Sequence, residues 1–95
     1  MGTEIVIEDP VGLPEAICGD LERAGTGNVQ MSYDEGRDIV TIWVNSSNAG
    51  KWLYEWLEST MDHYQTEYPW GAEMEYKSAR EMRDRVYQEF VEGEL

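Results

Sequence analysis

One cysteine and one histidine, Cys18 and His63, are all this chain holds of the residues that most often bind metals or act as nucleophile and base near neutral pH. A lone cysteine excludes an internal disulfide, and with no Cys or His beside it Cys18 is expected to be a small buried apolar residue. Lysine is equally scarce. Lys51 and Lys77, together with five arginines, face twenty Asp and Glu, for a net charge of -13 in 95 residues. No apolar run nears the roughly 18 residues of a membrane helix. The N-terminal segment has neither the basic nor the apolar stretch of a secretion signal, so a cytoplasmic, unanchored chain is expected.

What is present is an apolar share of 41% that includes eleven aromatic residues (four Trp, six Tyr and one Phe), enough for a folded core despite the charge. Ninety-five residues make one domain, 1–95. The acid excess repels phosphate backbones and anionic lipid, so neither direct nucleic-acid binding nor membrane binding is expected. Basic surfaces are attracted instead, and the commonest of these are built to hold nucleic acid.

Thr3 to Glu8 alternates as a half-buried strand with Ile5 and Ile7 inward, closed by Asp9-Pro10. Leu13, Ile17, Leu21 and Ala24 mark a short helix with Pro14 in its first turn and Gly25 past its end. Val29, Met31 and Tyr33 alternate with polar neighbours. A second run follows from Asp38 to Val44, and Glu35-Gly36-Arg37 between them makes a hairpin. Val40, Ile42 and Val44 then face the core, leaving Trp43 on the open sheet face.

Ser47 or Asn48 is placed to cap a long helix whose stripe runs through Trp52, Leu53, Trp56, Leu57, Met61 and Tyr64 and which Pro69 ends. Glu73 to Tyr76 alternates like a brief strand. Ser78 with Glu81 forms a capping box for a last helix with Ala79, Met82, Val86 and Phe90 inward. The expected class is α+β, in the order β-α-β-β-α-β. An antiparallel sheet of about four strands would carry two helices on one face, with a further C-terminal helix.

No chemical motif emerges. His63 with Glu67 four residues on is at most a two-ligand half-site, and close carboxylate pairs arise unavoidably among twenty acids. Asp34-Glu35-Gly36-Arg37-Asp38 lacks the spacing of a calcium loop, and Gly25 and Gly27 precede a strand rather than a phosphate-binding helix. Lys77, Arg80, Glu81 and Arg85 have opposite charges four residues away and are expected to form a salt-bridged helix face. No cofactor, metal or catalytic residue is assigned, and a binding role is expected.

Charge is regional. Residues 1–75 hold fifteen acids and three bases, whereas residues 76–95 hold five and four. Glu55, Glu58 and Asp62 share one side of the long helix, and Glu4 with Glu8, or Glu73 with Glu75, would line a strand face at steps of about 6.7 Å. Such rows approximate a phosphate track, which advances about 3.4 Å per nucleotide. Six aromatic residues crowd positions 52–70; Trp52, Trp56 and Tyr64 are expected in the core, with Tyr54, Tyr68 and Trp70 left as exposed contacts. The partner-binding set is therefore Asp34, Glu35, Asp38, Trp43, Tyr54, Glu55, Glu58, Asp62, Glu67, Tyr68 and Trp70.

Size, acidity, the missing motifs and the compact α+β reading resemble the small phage-encoded anti-CRISPR proteins and other DNA-mimic inhibitors of host nucleic-acid enzymes. The resemblance implies a non-enzymatic inhibitor, acting in the host cytoplasm. It would dock on the basic DNA-binding surface of a protein or ribonucleoprotein effector complex and deny it target DNA. The competing expectation is an accessory domain from a salt-loving organism, its acids a general surface adaptation.

Overall fold

A computed structural model describes residues 2–91. Strands β1 (Thr3–Glu8), β2 (Val29–Asp34) and β3 (Ile39–Val44) alternate with helices α1 (Pro14–Ala24), α2 (Ser47–Glu67) and α3 (Glu73–Val86), in the order β-α-β-β-α-α. A π-helical turn, Tyr87–Val91, continues α3.

The sheet order is β1-β3-β2, antiparallel throughout. Alternation along each strand sends Ile5, Ile7, Val29, Val40, Ile42 and Val44 to one face, where they join Ile17 and Leu21 of α1, Leu53, Leu57 and Met61 of α2, and Ala79, Met82 and Val86 of α3 in one cluster. Among the described residues no helix packs on the opposite face. The Pro14 start and the Gly25 stop of α1 are as expected, Gly25 being left-handed (φ 72°) with its N–H donated to the Glu22 carbonyl. The cap of α2 falls one residue before the expected pair: the Ser46 hydroxyl accepts the Ala49 N–H at 3.2 Å.

Sequence and structure part company at residues 73–76. No fourth strand occurs among the described residues, and Glu73–Tyr76 is the first turn of α3. Four alternating residues fit a helix start as well as a strand, and the helix is chosen because Ser78, Ala79, Met82 and Val86 recur at helical spacing and bury together. Ser78 is therefore no cap. It lies mid-helix, 1% exposed, its hydroxyl without a hydrogen-bond partner among the described residues. The edge of β1 that a fourth strand would have paired receives instead the Arg85 guanidinium, 3.1 Å from the Val6 carbonyl.

Among the described residues the charged side chains of α3 take partners other than the expected ladder, some elsewhere in the fold and some within the helix. Glu81 accepts the Val11 N–H at 3.0 Å, Arg83 reaches Asp84 and Glu58, and Arg80 lies 5.8 Å over the Tyr76 ring. On α2, Leu53, Leu57 and Met61 take the core side, while Trp52 is 39% exposed and Trp56 and Tyr64 are half-buried. Each tryptophan is one residue, about 100°, away from a buried leucine, so the indoles fall at the stripe's margin and stack on each other at 6.3 Å. Cys18 likewise is only half-buried.

Gly12 joins β1 to α1 where α3 begins. Its φ is +75°, and a Cβ there would stand 2.1 Å from the Met74 carbonyl oxygen. Gly12→Ala is expected to cost about 3 kcal/mol in chemical denaturation, because backbone must move. Ser78→Ala should raise stability by about 1 kcal/mol, since it removes an unsatisfied buried hydroxyl and improves helix propensity.

Candidate functional site

The register gathers charge at one end of the sheet. Glu8 pairs with Ile39, and Ile39 with Asp34, so on the uncovered face two exposed carboxylates flank one half-buried isoleucine across three strands. With strands about 4.8 Å apart, Glu8 and Asp34 stand about 10 Å from each other. Glu4 lies four residues back along β1, about 13 Å away. Beyond the strands, Asp9 and Asp38 meet through an Asp9 N–H donated to the Asp38 carbonyl at 3.0 Å, and Glu35 occupies the turn.

Asp9 and Asp38 are the two non-glycine residues with positive φ among the described residues, 50° and 56°. Aspartate tolerates this region better than most side chains, which accounts for its use where both chain crossings turn sharply. The Asp38 carboxylate is also committed inward, accepting the Tyr33 hydroxyl at 2.6 Å. That hydrogen bond, with burial and the charges of Asp38, Glu15 and Glu35, holds the Tyr33 phenol up at about 12. Asp38 thus braces the turn through one carboxylate oxygen, while Glu8 and Glu35 are exposed and Asp34, also exposed, accepts the Arg37 N–H. The local cation Arg37 spans 3.8 Å to Asp34, an exposed pair that contributes little to stability.

Nine residues make up the open sheet face: Glu4, Val6, Glu8, Gln30, Ser32, Asp34, Ile39, Thr41 and Trp43. Three are acids and none is a base. Trp43 sits there as the alternation requires, but it is half-buried rather than exposed, because the Gly2 backbone lies against the indole. A Cβ on Gly2 would come within 2.5 Å of Trp43 Nε1.

The rest of the expected binding set lies in the helical layer. Glu55 and Asp62 are exposed on α2, and Glu58 is 3.5 Å from Arg83. Tyr54 is turned inward against Tyr87 at 5.7 Å instead of outward, because position 54 follows buried Leu53 on the α3 side of α2. Glu67 and Tyr68 end α2, with Tyr68 half exposed, and Trp70 in the following turn is 91% exposed. The residues expected together therefore form two groups in different layers. Glu4, Glu8 and Asp9, outside that set, belong with the hairpin acids, and only the pairing of β1 with β3 brings them there.

His63 is flanked edge-on by Tyr64 at 5.4 Å and Tyr68 at 5.8 Å. Among the described residues no three His, Cys, Asp or Glu side chains stand close enough to hold a metal ion, and no helix is long and apolar enough to cross a membrane. Burial, then Glu15, pushes the Cys18 thiol up to about 11, so its thiolate is rare near neutral pH. No protein-family model, curated protein or solved structure matches the chain.

The raised Tyr33 phenol ties stability to alkaline pH. A folded-state value above the ordinary 10 gives a contribution fully present below pH 10 and lost as pH rises through about 12. Melting temperature should fall across that window, and Tyr33→Phe should flatten the fall; absorbance of the phenolate near 295 nm provides the parallel titration.

Proposed function

We propose that the chain is a non-enzymatic binding protein whose uncovered sheet face and hairpin end dock on the basic, nucleic-acid-binding surface of a protein or ribonucleoprotein. Bound there, it would occlude DNA. The specific target proposed is a CRISPR effector complex, following the resemblance in size and charge to phage-encoded inhibitors. The observation that carries the reading is the segregation of charge. Glu4, Glu8, Asp9, Asp34 and Glu35 are exposed on and around a sheet face that has no base of its own, with Arg37 in the hairpin turn beside them, while Arg80, Arg83 and Arg85 on α3 engage Tyr76, Glu58 with Asp84, and the β1 edge.

Segregation supports docking over general salt adaptation, because an adapted surface needs only a high average charge. The sheet offers rigidity as well: carboxylates on paired strands keep fixed separations, so the entropy lost on meeting a row of Lys and Arg is smaller than for acids on loops. Complementary charge of this kind governs association rate and partner choice. On the central strand the half-buried Ile39 lies between Glu8 and Asp34, and the half-buried Trp43 lies between Glu4 and Gln30, so the face combines apolar area with exposed acids as protein interfaces do.

The variant Glu8→Gln/Asp34→Asn/Glu35→Gln tests this directly, since Asn keeps the acceptor that the Arg37 N–H uses at 3.2 Å. Removing three charges worth about 1 kcal/mol each should weaken binding to a purified effector complex on the order of 100-fold at low salt, with melting temperature unchanged. The native chain should displace labelled target DNA from that complex, less effectively as salt rises. Full displacement by the variant would overturn the electrostatic reading. Absence of binding combined with a melting temperature that climbs steeply in molar salt would favour salt adaptation.

A further inference from the structure

A cleft of about 710 Å³ runs between α1, α2 and the first turn of α3, away from the acidic sheet face. Its walls include Trp56, His63, Tyr64 and Tyr68, and its carboxylates are Asp20 and Glu75. The aromatic groups are ordered by mutual contact: Tyr64 and Tyr68 lie 6.1 Å apart, and His63 meets both edge-on. Helix spacing explains the wall, since positions 56, 60, 64 and 68 recur every four residues on one flank of α2.

The two carboxylates differ. Asp20 accepts the Tyr64 hydroxyl through Oδ2 at 2.5 Å and is bonded by the Arg23 guanidinium through Oδ1. Burial and this hydrogen bond push the Tyr64 phenol well above its ordinary value, so it remains a neutral donor that fixes the Asp20 carboxylate. Glu75 is half-buried on the wall of the cleft and makes no hydrogen bond or ion pair with any described residue. A half-buried carboxylate with no cation paired to it among the described residues, in a cleft walled by aromatic rings, is a receptor for positive charge.

We infer that this cleft receives an arginine side chain of a protein partner, its guanidinium stacking on the aromatic wall and pairing with Glu75. Arginine is favoured over lysine on three grounds. A planar, weakly hydrated guanidinium stacks on aromatic rings, whereas a compact ammonium keeps its water. Arg23 already rests a guanidinium on Asp20 at the rim of the same cleft. Arg80 lies over Tyr76 on the neighbouring helix face, an internal instance of the same contact. The inference rests on the reading that the partner is basic, but it concerns a second site in the helical layer.

The experiment uses the whole chain, 15N-labelled, titrated with acetyl-Gly-Arg-Gly-amide and with its lysine and citrulline counterparts. The reporter is the Trp56 indole N–H, assigned through Trp56→Phe. Saturable shifts with the arginine peptide are expected in the millimolar range. Binding should be about fivefold weaker for lysine and absent for citrulline, which keeps the shape but loses the charge. Glu75→Gln and Tyr68→Ala should each weaken binding about fivefold, while Arg23→Ser, by removing the internal rival, should strengthen it. Citrulline or lysine binding as well as arginine, or unchanged affinity in Glu75→Gln, would overturn the inference. The sheet-face variant Glu8→Gln/Asp34→Asn/Glu35→Gln should bind the peptide like the native chain. Failure of the acidic-face reading and failure of the cleft are therefore seen separately.

Discussion

Val40, Ile42 and Val44 have no solvent exposure, and the central strand that carries them is paired on both sides. Their burial fixes which face of β3 looks inward, and through the register it fixes β1 and β2 as well. A slip of β3 by one residue would turn these three apolar side chains to water and bring Ile39, Thr41 and Trp43 inward, so the alternative is strongly disfavoured. Everything on the uncovered face follows from this constraint. Glu8 and Asp34 flank Ile39 because Ile7 and Tyr33 flank Val40.

The helical layer solves a different problem, that of an exposed strand edge. A fourth strand would have satisfied β1; here α3 lends the Arg85 guanidinium to the Val6 carbonyl. This arrangement engages two of the chain's seven Lys and Arg residues, Arg83 bridging toward α2 and Arg85 toward β1. The nine outward residues of the sheet carry three acids and no base. The strength of the acidic field there reflects both the acids present and the bases held elsewhere.

Close approach between elements has local costs that the sequence displays as small residues. Gly50 of α2 lets the Phe90 ring pack where a Cβ would come within 2.4 Å of it. Gly12 does the same for the α3 backbone. Ser78 in the same neighbourhood is small enough to fit but leaves its hydroxyl unsatisfied. These contacts hold α3 against both α1 and α2 and so shape the aromatic cleft that opens among the three helices.

Much of this was legible in the residues themselves. Period-two alternation marked β1, β2 and β3, and helical spacing with Pro14, Gly25 and Pro69 marked α1 and α2, because these signals act within a few residues. The surplus of acids in residues 1–75 and the exposure of Tyr68 and Trp70 were legible for the same reason. The sequence by itself thus determined the α+β class, the inward faces of the three strands and the sign of the surface. Only the tertiary structure decided that Glu73–Tyr76 is helical, since a four-residue pattern suits either form and burial of Met82 and Val86 selects one. It alone brought Glu8 beside Asp34, turned Tyr54 inward, and joined Asp20 to Tyr64 across 44 residues. Such proximities depend on how strands pair and helices pack, and local spacing carries no record of them.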